Sequence, residues 1–264
     1  KFGIMGSTDQ HAGYPGSYGD GRIGILAESL TRDKIWDAMK NRHVCCATGD
    51  KINIDFRLND AFPGDVVRGN SRRIYLNVEG GSCIDYIDIV KNRRCIARLS
   101  GPLLPEMPEG DMVRCKVKIE FGWNREEQYV HWQGKLSISK GTINAVEPCF
   151  RGAAFTSPQP GEPEFETKVN RIVSVTDKDT ELDMYSSKNP NTTTPAMQAV
   201  ILDVTMPKDG MITAEFNGKK LEHSLSELLE GSRSHFMIGW LSEAILFNRA
   251  MPESCFMVEH YMED

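Results

Sequence analysis

The sequence predicts a mostly β protein that opens on a short α/β-like stretch and continues into a sandwich-like region. Three observations carry this. From about Lys51 onward, apolar and polar residues alternate over short runs, the period of half-buried strands. Gly and Pro clusters separate these runs: Pro63-Gly64, Gly80-Gly81, Gly101-Pro102 and Pro105 to Gly110. Ahead of Lys51 the rhythm is different, with an apolar run, a Gly-rich loop and then a helical stripe. Many short strands punctuated by turn signals suggest a sandwich.

In chain order, Phe2 to Met5 reads as a buried strand leading into the loop Gly13-Tyr14-Pro15-Gly16-Ser17-Tyr18-Gly19-Asp20-Gly21. Ile23 to Ala27 reads as a second extended piece. A helix follows, with Thr31 as N-cap and Asp33 in the first turn. Ile35, Trp36, Ala38 and Met39 form its apolar stripe, and Lys40, Arg42 and His43 sit where the helix dipole favours cations. Strands are expected over Ile52 to Leu58, Arg73 to Glu79, Ile84 to Val90, Arg94 to Leu99 and Val113 to Phe121. Leu136 to Ser139 and Thr142 to Val146 flank Lys140-Gly141 and read as a tight hairpin. Further strands fall at Arg171 to Val175, Ala199 to Thr205 and Met211 to Phe216. Thr156 to Glu166 and Asp183 to Pro195 read as polar loops. Ser224-Leu225-Ser226-Glu227 is a capping-box pattern opening a helix to Glu230.

The whole-chain numbers exclude some functions. With 264 residues, 40% apolar content and a mean hydropathy of −0.39, the chain reads as soluble and globular. A net charge of −6 argues against a nucleic-acid partner. No run approaches the roughly 18 apolar residues that cross a bilayer, so no membrane partner is expected. Seven scattered cysteines without a C-x-x-C pair fit buried thiols better than a disulfide framework. That usage favours a cytoplasmic location, with an upstream signal peptide left open. Lys1 is not an initiator methionine, and the chain is expected to begin partway through a longer protein.

The sharpest chemical signal is Gly6-Ser7-Thr8-Asp9-Gln10-His11-Ala12-Gly13, directly after an apolar run. An Asp and a His two apart on an extended segment offer hard oxygen and imidazole nitrogen to one metal cluster. The plain alternative is a turn in which Asp9 bonds local backbone and His11 is exposed.

The run GSTDQHAGYPG, followed by Leu30-Thr31-Arg32-Asp33-Lys34-Ile35-Trp36-Asp37-Ala38-Met39 and Cys46-Ala47-Thr48-Gly49-Asp50-Lys51-Ile52, resembles the end of a PHP-type (polymerase and histidinol phosphatase) metal-dependent hydrolase domain. The resemblance is closest to a bacterial branch of that superfamily and covers residues 3 to about 60. It implies the end of a distorted (β/α)7 barrel holding divalent metals (Zn, Mn or Fe), with a metal-activated hydroxide attacking a phosphoester-type bond of a small-molecule substrate. Only the final motif carries over, so Asp9 and His11 are the implied metal ligands; no catalytic residue is assigned. Such sites open with an H-x-H pair, which this sequence lacks. The cluster is therefore expected to be incomplete here, the N-terminal barrel portion missing, and the chain inert by itself. On this reading residues 1–50 are the last βα segment of the barrel. Residues 51–264 are a β-rich region, with a division into two subdomains placed near 151–167.

Arg22 could reach a substrate phosphate or carboxylate; a surface salt bridge is the plain alternative. His43 reads as closing a helix, and His131, His223, His235 and His260 show no ligand spacing. Trp123, Trp132 and Trp240 could form a sugar-binding platform or simply pack in a core. The rival to the hydrolase is thus a non-catalytic β-sandwich module binding a glycan or protein partner, with homo-oligomerisation as a further role for the β-rich part.

Overall fold

The computed structural model describes residues 2–7, 21–49, 51–102, 105–122, 129–150, 170–187, 197–239 and 242–263. It is mostly β, built of antiparallel sheets, none closed into a barrel among the described residues. The chain divides into two compact units, one from the described residues up to 102 together with 254–263, the other from those between 105 and 253.

The first unit begins with strand β1 (Gly21–Ile25), helix α1 (Arg32–Asn41) and strand β2 (Val44–Thr48), and β1 pairs antiparallel with β2. Thr31 is the N-cap of α1 in extended conformation, without a side-chain cap bond. Arg42 takes the left-handed conformation after the last turn (φ 67°), and the His43 N–H donates to the Ala38 carbonyl at 2.9 Å, closing the helix. The inward stripe is Ile35, Ala38 and Met39; Trp36 is exposed, with the Lys40 ammonium 5.3 Å from its ring.

Residues 2–7 correct the expectation of a buried strand. They form no strand, and Phe2, Ile4 and Met5 are 86%, 65% and 57% exposed. The reason lies in which atoms make the contact. Gly3 lies against Val44 and Arg42, and a Cβ on Gly6 would fall 2.3 Å from the Arg22 carbonyl oxygen and 3.1 Å from that of Ala47. The segment therefore approaches the ribbon through its glycines and leaves its apolar side chains facing outward. Passing from Gly3 beside Val44 to Gly6 beside Ala47, it runs in the same direction as β2.

Strands β3 (Asn53–Leu58), β4 (Arg73–Glu79), β5 (Tyr86–Lys91) and β6 (Arg94–Ser100) follow. The last two form a hairpin turning at Asn92-Arg93, both at positive φ (51° and 68°), as a two-residue turn requires. Asp88 and Arg98, opposite one another, form a fork of two 2.6 Å bonds, and the guanidinium lies over the Tyr86 ring.

The second unit comprises β7 (Met112–Gly122), β8 (Tyr129–Ile138), β9 (Thr142–Pro148), β10 (Arg171–Val175), β11 (Asp179–Ser187), β12 (Gln198–Pro207), β13 (Met211–Phe216), β14 (Lys219–Ser224), α2 (Leu225–Glu230), β15 (Arg233–Phe236), β16 (Ala244–Phe247) and β17 (Met251–Pro252). Five strands run in the order β10-β11-β8-β13-β14 and five in the order β15-β16-β7-β12-β9, with β17 added on β7. Alternate residues of both sheets feed one core: Cys115, Val117, Ile119 and Phe121 from β7 meet Trp132 and Leu136 from β8 and Ala214 and Phe216 from β13. Phe121 touches the Trp132 and Phe216 rings at centroid distances of 5.6 and 4.7 Å. Trp132 is fully buried and donates its indole N–H to the Ser186 hydroxyl at 2.9 Å, so it packs the core instead of walling a platform. Trp123 and Trp240 lie outside the described residues.

The Lys140-Gly141 hairpin is also corrected. Strands β8 and β9 do not pair; the turn carries the chain from one sheet to the other. Ile138 lies opposite Ile212 of β13 and Ile143 opposite Val204 of β12, so the two strands take their partners from different sheets while both isoleucines reach the shared core. Gly141 has φ +82°, and a Cβ there would stand 2.2 Å from the Thr205 carbonyl oxygen. The expected loop from Asp183 begins instead as the end of β11, where Met184 and Ser186 point inward and are wholly buried. Helix α2 matches its reading in full: the Ser224 hydroxyl caps the Glu227 N–H while the Glu227 carboxylate takes the Ser224 N–H at 2.8 Å.

After the short helix α3 (Glu253–Phe256), strand β18 (Met257–Glu263) returns to the first unit and pairs along β4, giving the sheet β18-β4-β3. Gly134 tests the β8–β13 approach in the second unit: its added Cβ would lie 2.0 Å from the Glu215 carbonyl oxygen. Gly134→Ala should lower stability by about 1–3 kcal/mol in urea unfolding. An unchanged midpoint would contradict that approach.

Candidate functional site

Pairing register sorts the three-stranded sheet into two chemically distinct faces. Asp55 lies opposite Asn77, Asn53 opposite Glu79, and Tyr75 opposite Tyr261, so one face is polar. Ile54 lies opposite Val78 and Phe56 opposite Leu76, so the other face is apolar. On the polar face Asp55 accepts from the Arg57 Nε at 2.5 Å, which raises the Arg57 pKa, and the guanidinium rests 3.7 Å from the Phe62 ring centroid. The Tyr75 and Tyr261 rings meet at 4.9 Å, and the Tyr261 hydroxyl donates to Glu259 at 3.0 Å, which pushes that phenol upward.

A cleft of about 490 Å³ lies between the polar face and the β1–β2 ribbon. The ribbon contributes Arg22, Ile23, Gly24, Cys45 and Ala47; the sheet contributes Asn53, Asp55, Asn77 and Glu79; Lys51 stands at the entry to β3. Two cations, two carboxylates and two carboxamides thus line a volume of small-molecule size. Arg22 and Lys51 suit an anionic group, and Asn53 and Asn77 can orient a polar ligand by donating or accepting. Arg22, singled out in the sequence, is therefore a cleft residue. Lys51, Asn53, Asn77 and Glu79 were not singled out: each sits in a strand pattern that looks like an ordinary solvated face until the ribbon is placed over it.

A second cleft of about 500 Å³ opens on the apolar face, between Ile54, Phe56, Leu76 and Val78 on one side and the Gly80–Ile84 turn and β5 on the other. The vicinal thiols separate, Cys45 lining the polar cleft and Cys46 exposed, and none of the seven cysteines is in a disulfide.

Asp9 and His11 lie outside the described residues, as do Tyr14 and Tyr18. What precedes them is described: Gly6, three residues before Asp9, sits on the backbone of Arg22 and Ala47, both residues of the polar cleft. Among the described residues no group of three or more His, Cys, Asp and Glu side chains could hold a metal ion. His43 lies 3.0 Å from Asp65, whose carboxyl it holds below the usual range, and its ring is tilted against Phe62 at 5.6 Å; it serves packing at the helix end. His131 is 2.7 Å from Asp183 and stacked on Tyr185, whose phenol is raised mainly by burial. His223 and His235, twelve residues apart, are brought to 2.7 Å.

Compared with known proteins, the chain finds no matching family model, no matching curated protein and no matching solved structure.

Proposed function

We propose that this chain forms the metal-binding end of a PHP-like, metal-dependent hydrolase acting on a small phosphoester-type substrate, with Asp9 and His11 as metal ligands and Arg22 as a substrate-binding residue. The observation that carries this reading is the path of residues 3–6. They run alongside β2 in the same direction, and Gly6, three residues before Asp9 in sequence, lies against Arg22, which lines the polar cleft. On the barrel reading Asp9 and His11 would leave the C-terminal end of a strand, where functional side chains of βα architectures sit.

The donor chemistry fits a divalent ion. One carboxylate and one imidazole suit Zn, Mn or Fe, and the remaining ligands come from a barrel portion that carries the H-x-H pair. When bound, such an ion lowers the pKa of a coordinated water and polarises the phosphoryl oxygen. The chain's own residues do the rest. Arg22 offers a planar fork to non-bridging phosphate oxygens, Lys51 adds a point charge, and Asn53 and Asn77 orient the leaving side of the substrate. The β-rich second unit, a two-layer β-sandwich on this reading, is an accessory region.

In the protein that carries this chain together with the barrel portion, Asp9→Ala and His11→Ala should each reduce bound metal and phosphoesterase activity together. Metal content by elemental analysis and hydrolysis of p-nitrophenyl phosphate check this; unchanged values in both variants contradict the assignment. Arg22→Ala should leave metal content intact and lower kcat/KM roughly ten- to hundredfold, the loss expected for a charged hydrogen-bond partner. An unaltered kcat/KM removes Arg22 from the site.

A further inference from the structure

Two histidines meet across the two sheets of the second unit. His223 is on β14, at the edge of one sheet, and His235 on β15, at the edge of the other. Their Nε2 atoms are 2.7 Å apart, while the ring centroids are 5.0 Å apart with planes inclined by 28°. Nitrogens that close with centroids that distant place the rings end to end, each Nε2 directed at the other. A contact of this kind requires one proton between the nitrogens, donated by one neutral ring and accepted by the other. A metal ion on that line would need each nitrogen at about 2.0–2.1 Å, a far wider pair than this one.

The surroundings are largely apolar, and both rings are half-buried. His223 lies opposite Ile212 of β13 and His235 opposite Ile245 of β16, and the Phe247 ring stands edge-on to both, at 5.1 and 6.3 Å. Three charged groups face the pair. Glu227 of α2 places a carboxylate oxygen 3.8 Å from His223 Nδ1, an atom that is buried without a hydrogen-bond partner. Lys219 of β14 donates its ammonium to the Phe236 and Met237 carbonyls at 2.7 and 3.3 Å, a second clasp across the same edge. Arg233 of β15 is engaged with the Gly231 and Ser232 carbonyls.

We infer that the His223–His235 contact is an acid-released latch holding β14 to β15. Above the histidine range both rings are neutral and one N–H···N bond closes the edge. A proton added at the accepting Nε2 of His235 leaves two N–H groups confronting one another. The rings separate. Burial first, then His223 and Lys219, hold the His235 pKa below its ordinary value, so the closed edge resists the proton that the open edge accepts. The sign follows: the latch is fully closed above the ordinary histidine pKa and opens as pH falls from there toward the depressed value. With one extra proton in the open state, the opening equilibrium grows about tenfold per pH unit.

Hydrogen exchange of residues 233–237, read by mass spectrometry and corrected for intrinsic rates, measures that opening. As pH falls below about 6.5 the protection in the wild-type chain should drop, by about tenfold per unit until the closed edge itself takes up the proton. His235→Phe removes the titrating ring, and His223→Gln offers His235 an amide that can either donate or accept. Both should abolish the slope. A flat wild-type profile, or an equal slope in both variants, overturns the latch. If neither variant folds, imidazole nitrogen shifts of the wild-type chain decide. Two inequivalent Nε2 atoms sharing one proton near neutral pH are expected; two rings titrating independently at ordinary values overturn it.

Discussion

Strand β4 is hydrogen-bonded on both sides, to β3 from Leu58 back to Asn53 and to β18 from Met257 to Glu263. Because side chains alternate across a strand, this double pairing decides which side chains face which cleft. A slip of one residue would exchange Asn77 and Glu79 for Leu76 and Val78 and turn the polar cleft apolar. The cleft beneath the β1–β2 ribbon, with Arg22 and Lys51 on its wall, exists only in this register. So does the apolar cleft on the other face. The same rule runs through the second unit, where alternate residues of β7, β8, β12 and β13 converge on the Phe121–Trp132–Phe216 cluster.

The two units close their weak points differently. In the first, the site depends on glycines: Gly6 seats the N-terminal segment on carbonyl oxygens where any Cβ would collide. In the second, the sheet edges meet through polar side chains. His223 to His235 and Lys219 to the Phe236 carbonyl join strands that no backbone ladder joins. Such contacts depend on the protonation of the groups that make them.

Much of the secondary structure is legible in the sequence because period-two alternation is a local signal. Strand β4 and strand β13 have the boundaries their patterns predict, and the Ser224–Glu227 capping box opens α2 as expected. What escapes is decided at long range. Lys140-Gly141 has hairpin chemistry, yet β8 pairs with β11 and β13 while β9 pairs with β12, so the two strands lie in different sheets. Trp36 falls within the helical stripe but faces solvent, since the stripe on α1 is narrower than its apolar residues suggest. The pairing of β18 with β4 links residues nearly two hundred positions apart and leaves no trace in local pattern. The cleft residues Asn53, Asn77 and Glu79 look like a solvated face for the same reason, and the two histidines of the latch have no spacing that announces them. Arg22 was legible because it follows a Gly-rich loop, and it does line the cleft.

The central proposal is that Asp9 and His11, which follow the segment seated by Gly6, are metal ligands. Anomalous diffraction from crystals of the protein carrying this chain and its barrel portion, grown with manganese and recorded at the metal edge, tests it most directly. The account predicts an anomalous peak coordinated by the Asp9 carboxylate and the His11 imidazole. A fully occupied peak at other ligands, with Asp9 and His11 bonded only to local backbone, would contradict it.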